Sequence, residues 1–205
     1  MPKPNRFGRI IVALLILSAI VTLIWSTMTF RANREQAYFN QAGVAMTTIH
    51  KEMNQWSAEG RIGYPPHVAI LIVDGRLTVE QFRDPRRPGG GVWGIGSIDL
   101  RQGHAEQQDA VVEALRTMPA TPIYFFGDFW FLRVQHPTRD PAIVFAWSQP
   151  NDANERQVLF DDGHFRRIHR DQWDDVWSHD ATARRTHSLP QIMQPSWDAK
   201  PADMN

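Results

Sequence analysis

Between Ile10 and Phe30 this chain runs for 21 residues without a charge, and few structures accommodate such a run. Ile10 to Trp25 is almost unbroken Ile, Leu, Val and Ala, with Ser18 and Thr22 as the polar interruptions. As a helix rising about 1.5 Å per residue it covers about 31 Å, against about 30 Å for a bilayer's hydrocarbon core. A helix that is apolar all round could instead be a core helix, but a small protein would then have to wrap it on every side. We therefore read Ile10–Phe30 as a transmembrane helix. Lys3, Arg6 and Arg9 precede it, which is also the layout of a secretory signal. The run exceeds a usual signal core, however, and Ser26-Thr27-Met28-Thr29-Phe30-Arg31 offers no small-x-small cleavage site, so the sequence predicts an uncleaved anchor.

Lys and Arg in the short flanks set the orientation of such a span. Lys3, Arg6, Arg9 and the amino terminus lie on one side, Arg31 and Arg34 on the other. This bias predicts a cytoplasmic N-terminus and an extracytoplasmic location for the rest, in the inner (cytoplasmic) membrane of a cell that has two. The whole chain has 205 residues with 22 Lys+Arg and 22 Asp+Glu, so its formal charge is zero. Nucleic-acid binding draws on clustered positive charge, so no nucleic-acid partner is expected. The length suits one ordinary domain beside the anchor. The chain has no Cys, which excludes thiol catalysis, Cys-ligated metals and disulfides.

Beyond the span, Phe39, Ala42, Met46, Ile49, Met53 and Trp56 recur in steps of three and four, one helical stripe that Gly60 terminates. The stripe is expected to pack on a sheet of its own domain rather than on a partner coil. Span and stripe are expected to form one helix, since no Pro or Gly separates Phe30 from Tyr38. Val68–Val73 is apolar and reads either as a buried strand or as a short buried helix. Thr78–Phe82 reads as a helical turn capped by Thr78, residues 84–91 as a loop, and Gly103–Met118 as a surface helix. The character then turns to period two. Pro122–Phe126, Phe129–Val134, Ala142–Trp147, Gln157–Phe160 and Phe165–Ile168 are aromatic and β-branched runs between turns, which predicts an antiparallel sheet. Asp162-Gly163 is a two-residue hairpin signal in which both positions would take positive φ. Asp171 is expected to cap a short last helix with Trp173, Val176 and Trp177 on one face. From Asp180 the polar, Pro-containing chain reads as a disordered tail.

Two stretches carry a resemblance. Tyr64-Pro65-Pro66-His67, the apolar run to Asp74-Gly75, and Arg76-Leu77-Thr78-Val79-Glu80-Gln81-Phe82 through Arg83-Asp84-Pro85 resemble the run "YPP-x-LA-x-LV-x-x-GYLTPE-x-L-x-x-P" of pseudopilin-like proteins related to type II secretion. Ile143–Trp147 followed by Val158-Leu159-Phe160-Asp161-Asp162-Gly163-His164-Phe165 is similar to the C-terminal "NVLFADGHV" signature of that family, the H-x9-DG motif. With anchor and stripe in the same order, the resemblance spans Arg9 to Trp177. It implies an α+β, pilin-like fold: a long N-terminal helix, half in the membrane and half packed on a small antiparallel sheet. Two departures limit what it carries. Gly8 is followed by Arg9-Ile10-Ile11-Val12-Ala13 where the family has Gly-Phe-Thr-Leu-x-Glu, so peptidase processing and assembly into a pseudopilus are not carried over. The signature His would fall at Asp152, so no function for it is carried over either.

Chemistry can be weighed residue by residue. His164, His169, Asp171, Asp175 and His179 are the densest group able to hold a metal, and a zinc site would need three or four of them at about 2.0–2.2 Å. No HExxH pattern occurs, and Asp175 and His179 read as a solvated helical pair. Asp161, Asp162, Asp171, Asp174 and Asp175 could supply an acid and a base or bind calcium, but turns and capping account for most of them. Gly94-Ile95-Gly96 lacks the third Gly of a dinucleotide loop, and Ser97 lacks a nucleophile elbow. The eight Trp and eleven Phe read mostly as core.

The expected organisation is a cytoplasmic flank and transmembrane helix over 1–30, an extracytoplasmic pilin-like domain over 31–179 and a disordered tail over 180–205. The expected function is that of a non-enzymatic structural or accessory component of an envelope or secretion assembly. Its partners would be the lipid bilayer and other membrane or pilin-like proteins, with no catalytic, cofactor or metal-binding residues. The alternatives are a membrane-tethered hydrolase using the Asp and His residues near the last hairpin, and a ligand-binding sensor with an aromatic-lined cavity.

Overall fold

The computed structural model describes residues 6–61, 63–86, 91–95, 98–102, 108–117, 121–133, 137–151 and 153–199. Lys3, Gly96, Ser97, Met118, Val134, Asp152, residues 87–90 and 103–107, and the chain from 200 onward lie outside them. The fold is α+β, with a long N-terminal apolar helix and a five-stranded antiparallel sheet.

Helix α1 runs unbroken from Arg6 to Ala58 over 53 residues. The chain divides into two units, residues 1–40 and 41–205. In the first unit the apolar side chains from Ile10 to Phe30 are exposed, Leu23 at 66 % and Trp25 at 73 %. The hydroxyls of Thr22 and Thr29 turn back to the carbonyls of Ser18 and Trp25 at 2.9 Å, which satisfies them within the helix. This is the one helix among the described residues long and apolar enough to cross a membrane.

The second unit begins with the helical stripe. Ala42, Met46 and Ile49 are fully buried and Met53 nearly so, in the same core as the sheet. The intramolecular reading of the stripe is therefore what the structure has. The helix ends at Ala58 and Gly60 follows with φ +80°. The ambiguous apolar run is helical: α2 spans Ala69–Val73 and is buried on nearly every side, a requirement that a strand would meet equally well. A short 3-10 turn, Val79–Phe82, follows the capping expectation, with Thr78 N donating to Gln81 Oε1 at 2.7 Å. A two-stranded ribbon that the sequence did not announce, β1 (Gly94–Ile95) with β2 (Ile98–Asp99), precedes helix α3 (Gln108–Thr117).

The main sheet is a meander, each strand pairing with the next: β3 (Ile123–Phe126), β4 (Phe129–Leu132), β5 (Val144–Ser148), β6 (Glu155–Phe160) and β7 (Phe165–His169). Strict alternation would leave one face wet, yet β3, β4 and β5 are buried at every position. Both faces are covered, which is why those segments read as nearly continuous aromatic runs. On one face lie the last turns of α1, from Ala42 on, and the chain after it: the His50 and Tyr64 rings are 5.2 and 5.6 Å from Phe145, and His67 stacks on Tyr124 at 4.2 Å. On the other, Trp130 and Trp147 pair across β4 and β5, and Trp147 meets Trp173 and Trp177 at 6.2 and 5.4 Å. Trp173 and Trp177 belong to α4 (Trp173–Thr186).

The last hairpin departs in detail from expectation. Among its turn residues only Gly163 has positive φ, +88°, and the loop closes with Gly163 N donating to Phe160 O and Phe160 N to His164 O. Asp162 is spared the left-handed conformation because the loop is longer than two residues. Asp171 does not cap α4: its carboxylate takes His169 Nδ1 at 2.7 Å, and a 3-10 turn, Arg170–Gln172, leads into the helix.

The tail is the largest correction. α4 continues to Thr186, and Asp180, where disorder was expected to begin, is 1 % exposed. Its carboxylate accepts from Val144 N at 2.8 Å and Arg184 Nε at 2.6 Å, an internal pair that polar composition alone disguises. Further on, Trp197 is 6 % exposed and edge-on to Trp173 at 5.3 Å. One indole, on an otherwise polar segment, buries enough apolar surface to hold that segment on the core.

Candidate functional site

The two stretches that carry the family resemblance meet in a buried polar cluster. His50 and Asn54 lie four residues apart on one face of α1; Tyr64 comes from Tyr-Pro-Pro-His; Asp161 opens the turn after β6. Tyr64 Oη lies 3.1 Å from Asp161 Oδ1 and 3.2 Å from Asn54 Oδ1, and its one proton goes to the carboxylate, the stronger acceptor. Asp161 Oδ2 accepts from Thr138 N at 2.7 Å, Thr138 Oγ1 at 2.6 Å and Arg139 N at 2.8 Å. Arg139 holds a left-handed φ of +57° while presenting its N–H to that oxygen. His50 Nε2 is 3.0 Å from Asp161 O. A carbonyl can only accept, so Nε2 carries the proton and Nδ1, 3.2 Å from Asn54 Nδ2, is the acceptor.

Burial dominates the electrostatics. Loss of water lowers the pKa of His50, with the Asp161 and Asp162 charges pulling the other way. Tyr64 is pushed far up, by desolvation first and by the Asp161 charge second, so its hydroxyl stays a donor. Each group thus keeps the protonation state that its hydrogen bonds require. The Asp161 carboxylate positions Tyr64 and the 138–139 loop, and its carbonyl holds His50 on α1. The cluster is built as a clamp that joins α1, the Tyr64 segment, the loop before β5 and the last hairpin.

The residues singled out as metal or acid–base candidates are dispersed into local pairs. His164 Nδ1 meets Asp162 Oδ1 at 2.5 Å, and its ring stacks on Phe160 at 4.3 Å. His169 pairs with Asp171, and Asp174 accepts from Gln194 Nε2 at 2.6 Å. Asp175 and His179 stand exposed one turn apart on α4. Among the described residues, no three His, Asp or Glu side chains gather as a metal ion would need. Ser97 and Gly96 lie outside the described residues.

Sequence reasoning passed over His50, Asn54 and His67. The signal for His50 was present: it follows Met46 by four and precedes Met53 by three, which puts it on the buried side of the stripe. His67 is 1 % exposed; it stacks on Tyr124, lies edge-on to Phe126 at 5.4 Å, and its Nδ1 accepts from Ala69 N at 3.1 Å. Desolvation, helped by the Arg133 charge, drives its pKa down to about 3.

That shift makes stability depend on pH in a definite direction. His67 is neutral in the fold, while in the unfolded chain it binds a proton below about pH 6.5. Between those two values the unfolded state holds more protons, so stability falls as pH drops from about 6.5 towards about 3, by on the order of 1 kcal/mol per pH unit. His50 adds in the same direction. Urea midpoints at pH 7.5 and 5.0 test this: the acid midpoint should be lower, and His67→Gln should flatten the difference. Equal slopes for parent and variant would refute the assignment.

Compared with protein families, with curated proteins and with solved structures, the chain finds no match in any of the three.

Proposed function

We propose that this chain is a single-pass membrane-anchored protein whose folded part is a pilin-like, extracytoplasmic module. It serves as a non-enzymatic structural or accessory component of an envelope or secretion assembly, with the bilayer and other membrane or pilin-like proteins as partners. The observation that carries this reading is helix α1 itself: one uninterrupted element, Arg6–Ala58, whose first part exposes an all-round apolar surface and whose last turns pack into an α+β core. Such surface is unfavourable in water and at home in lipid. The Tyr64–Asp161 contact adds support, because it joins the two family-like stretches to each other.

Protease accessibility in intact and permeabilised cells, read on a gel, tests location and processing together. The expected result is a full-length, carbonate-resistant membrane protein whose folded part is digested only from the extracytoplasmic side. Digestion from the cytoplasmic side alone would overturn the orientation, and loss of about 3 kDa, the mass of a removed signal segment, would overturn the uncleaved anchor.

A further inference from the structure

The segment from His187 to Ala199 forms neither helix nor strand, yet it is held along its length. Ile192 packs on the core, Pro195 and Trp197 are buried, and Gln191, Met193 and Ser196 next to them are exposed. Trp173 Nε1 donates to Pro195 O at 3.0 Å, Gln194 reaches Asp174 at 2.6 Å, and Arg170 pairs with Asp198 at 3.2 Å. At the centre the fully buried Arg156 guanidinium lies 5.0 Å from the Trp173 ring and 5.0 Å from the Trp197 ring, and donates to Ser148 O and Trp197 O. The guanidinium lies beside two rings that meet edge to face, Trp173 from α4 and Trp197 from the segment after it, which forms a strap.

We propose that the strap is exchangeable: two copies of this chain join by each seating Trp197 in the Arg156–Trp173 slot of the other. The hydrogen bonds, ion pair and ring contacts just described run from the strap to residues 148–174, and the hydrogen bonds within it, Ala199 N to Ser196 O and Asp198 N to Ser196 Oγ, travel with it. Every one of them reforms between copies, so exchange changes only the hinge. The hinge is Ser188. It closes α4 with Ser188 N donating to Arg185 O and Leu189 N to Arg184 O, in the left-handed position usually held by Gly, at φ +55°. Opening the hinge relieves that conformation. Confinement of copies to one membrane raises their mutual concentration, and this step alone rests on the anchor proposed above.

The absence of Cys makes the test clean. Two differently tagged full-length chains, one carrying Arg170→Cys and the other Asp198→Cys, are coexpressed and treated with a short bismaleimide. A second pair, Asp174→Cys with Gln194→Cys, is run in parallel, and soluble and membrane fractions are scored separately so that exchange is read independently of location. The expected result is a mixed cross-linked dimer for both pairs, its yield falling by about tenfold or more when Trp197→Ala is added to both chains. Absence of the mixed product in both pairs overturns the proposal, and the doubly substituted single chain, Arg170→Cys with Asp198→Cys, then shows the product within one copy. A mixed product that survives Trp197→Ala reports collision and overturns it equally.

Discussion

Asp161→Ala is expected to destabilise the second unit, residues 41–205, by about 4 kcal/mol, lowering its thermal midpoint by about 8–16 °C. The carboxylate accepts from Tyr64 Oη, Thr138 N, Thr138 Oγ1 and Arg139 N. Charge-assisted bonds of this kind contribute about 1.5–3 kcal/mol each, and a buried donor left without a partner costs about 1–3 kcal/mol. The four do not add in full, because the 138–139 loop is only part-buried and water can replace some of what it loses. Tyr64→Phe provides the graded comparison: it removes one donor and leaves Asp161 with three, so the expected loss is about 1 kcal/mol. Thermal and urea unfolding of the full chain in detergent would measure both. An Asp161→Ala midpoint no lower than that of Tyr64→Phe would remove the clamp from the account of this fold.

Gly127→Ala should cost about 3 kcal/mol or more. Gly127 sits at the first central position of the two-residue turn between β3 and β4, with φ +61°, as in a type II′ hairpin. A Cβ there would come within 2.3 Å of Phe82 O and 2.6 Å of Phe82 Cβ. Neither atom can rotate away, because the backbone is tied on both sides: Asp128 N donates to Phe82 O at 2.9 Å, and Gly127 exchanges bonds with Val92 at 2.8 and 2.9 Å. Gly60 separates conformation from contact. Its φ is +80° but nothing lies within 4 Å of the added carbon, so Gly60→Ala should cost only the left-handed penalty, about 1–2 kcal/mol. Equal midpoints for the two variants would mean that the Phe82 contact contributes nothing.

Both effects come from residues whose importance is only half visible in the chain. Phe126-Gly127-Asp128-Phe129 reads as a turn between aromatic strands, and its hairpin was legible because a turn needs only its own residues. That Phe82, 45 positions earlier, closes over Gly127 was not legible. Asp161 read as one member of a turn; its partner Tyr64 is 97 residues away, and His50, on its carbonyl, is 111 away. Asp180 and Trp197 were misjudged for the same reason. Their segment is polar enough to be taken for a disordered tail, and what holds it is Val144, Arg156 and Trp173 on other elements.

What the chain determines by itself is whatever depends on near neighbours along it. The apolar run of Ile10–Phe30 needs only its length, the stripe from Ala42 to Met53 only a helical period, and the five strands only β-branched and aromatic runs between turns. Tertiary structure alone decided that both faces of the sheet are covered, that Ala69–Val73 winds as a helix, and that His50, Tyr64 and Asp161 share one buried cluster. Burial and hydrogen-bond partnership are properties of the packed whole. An Asp, a His or a Trp carries the same chemistry wherever it stands, and only its neighbours across the fold set which part of that chemistry is used.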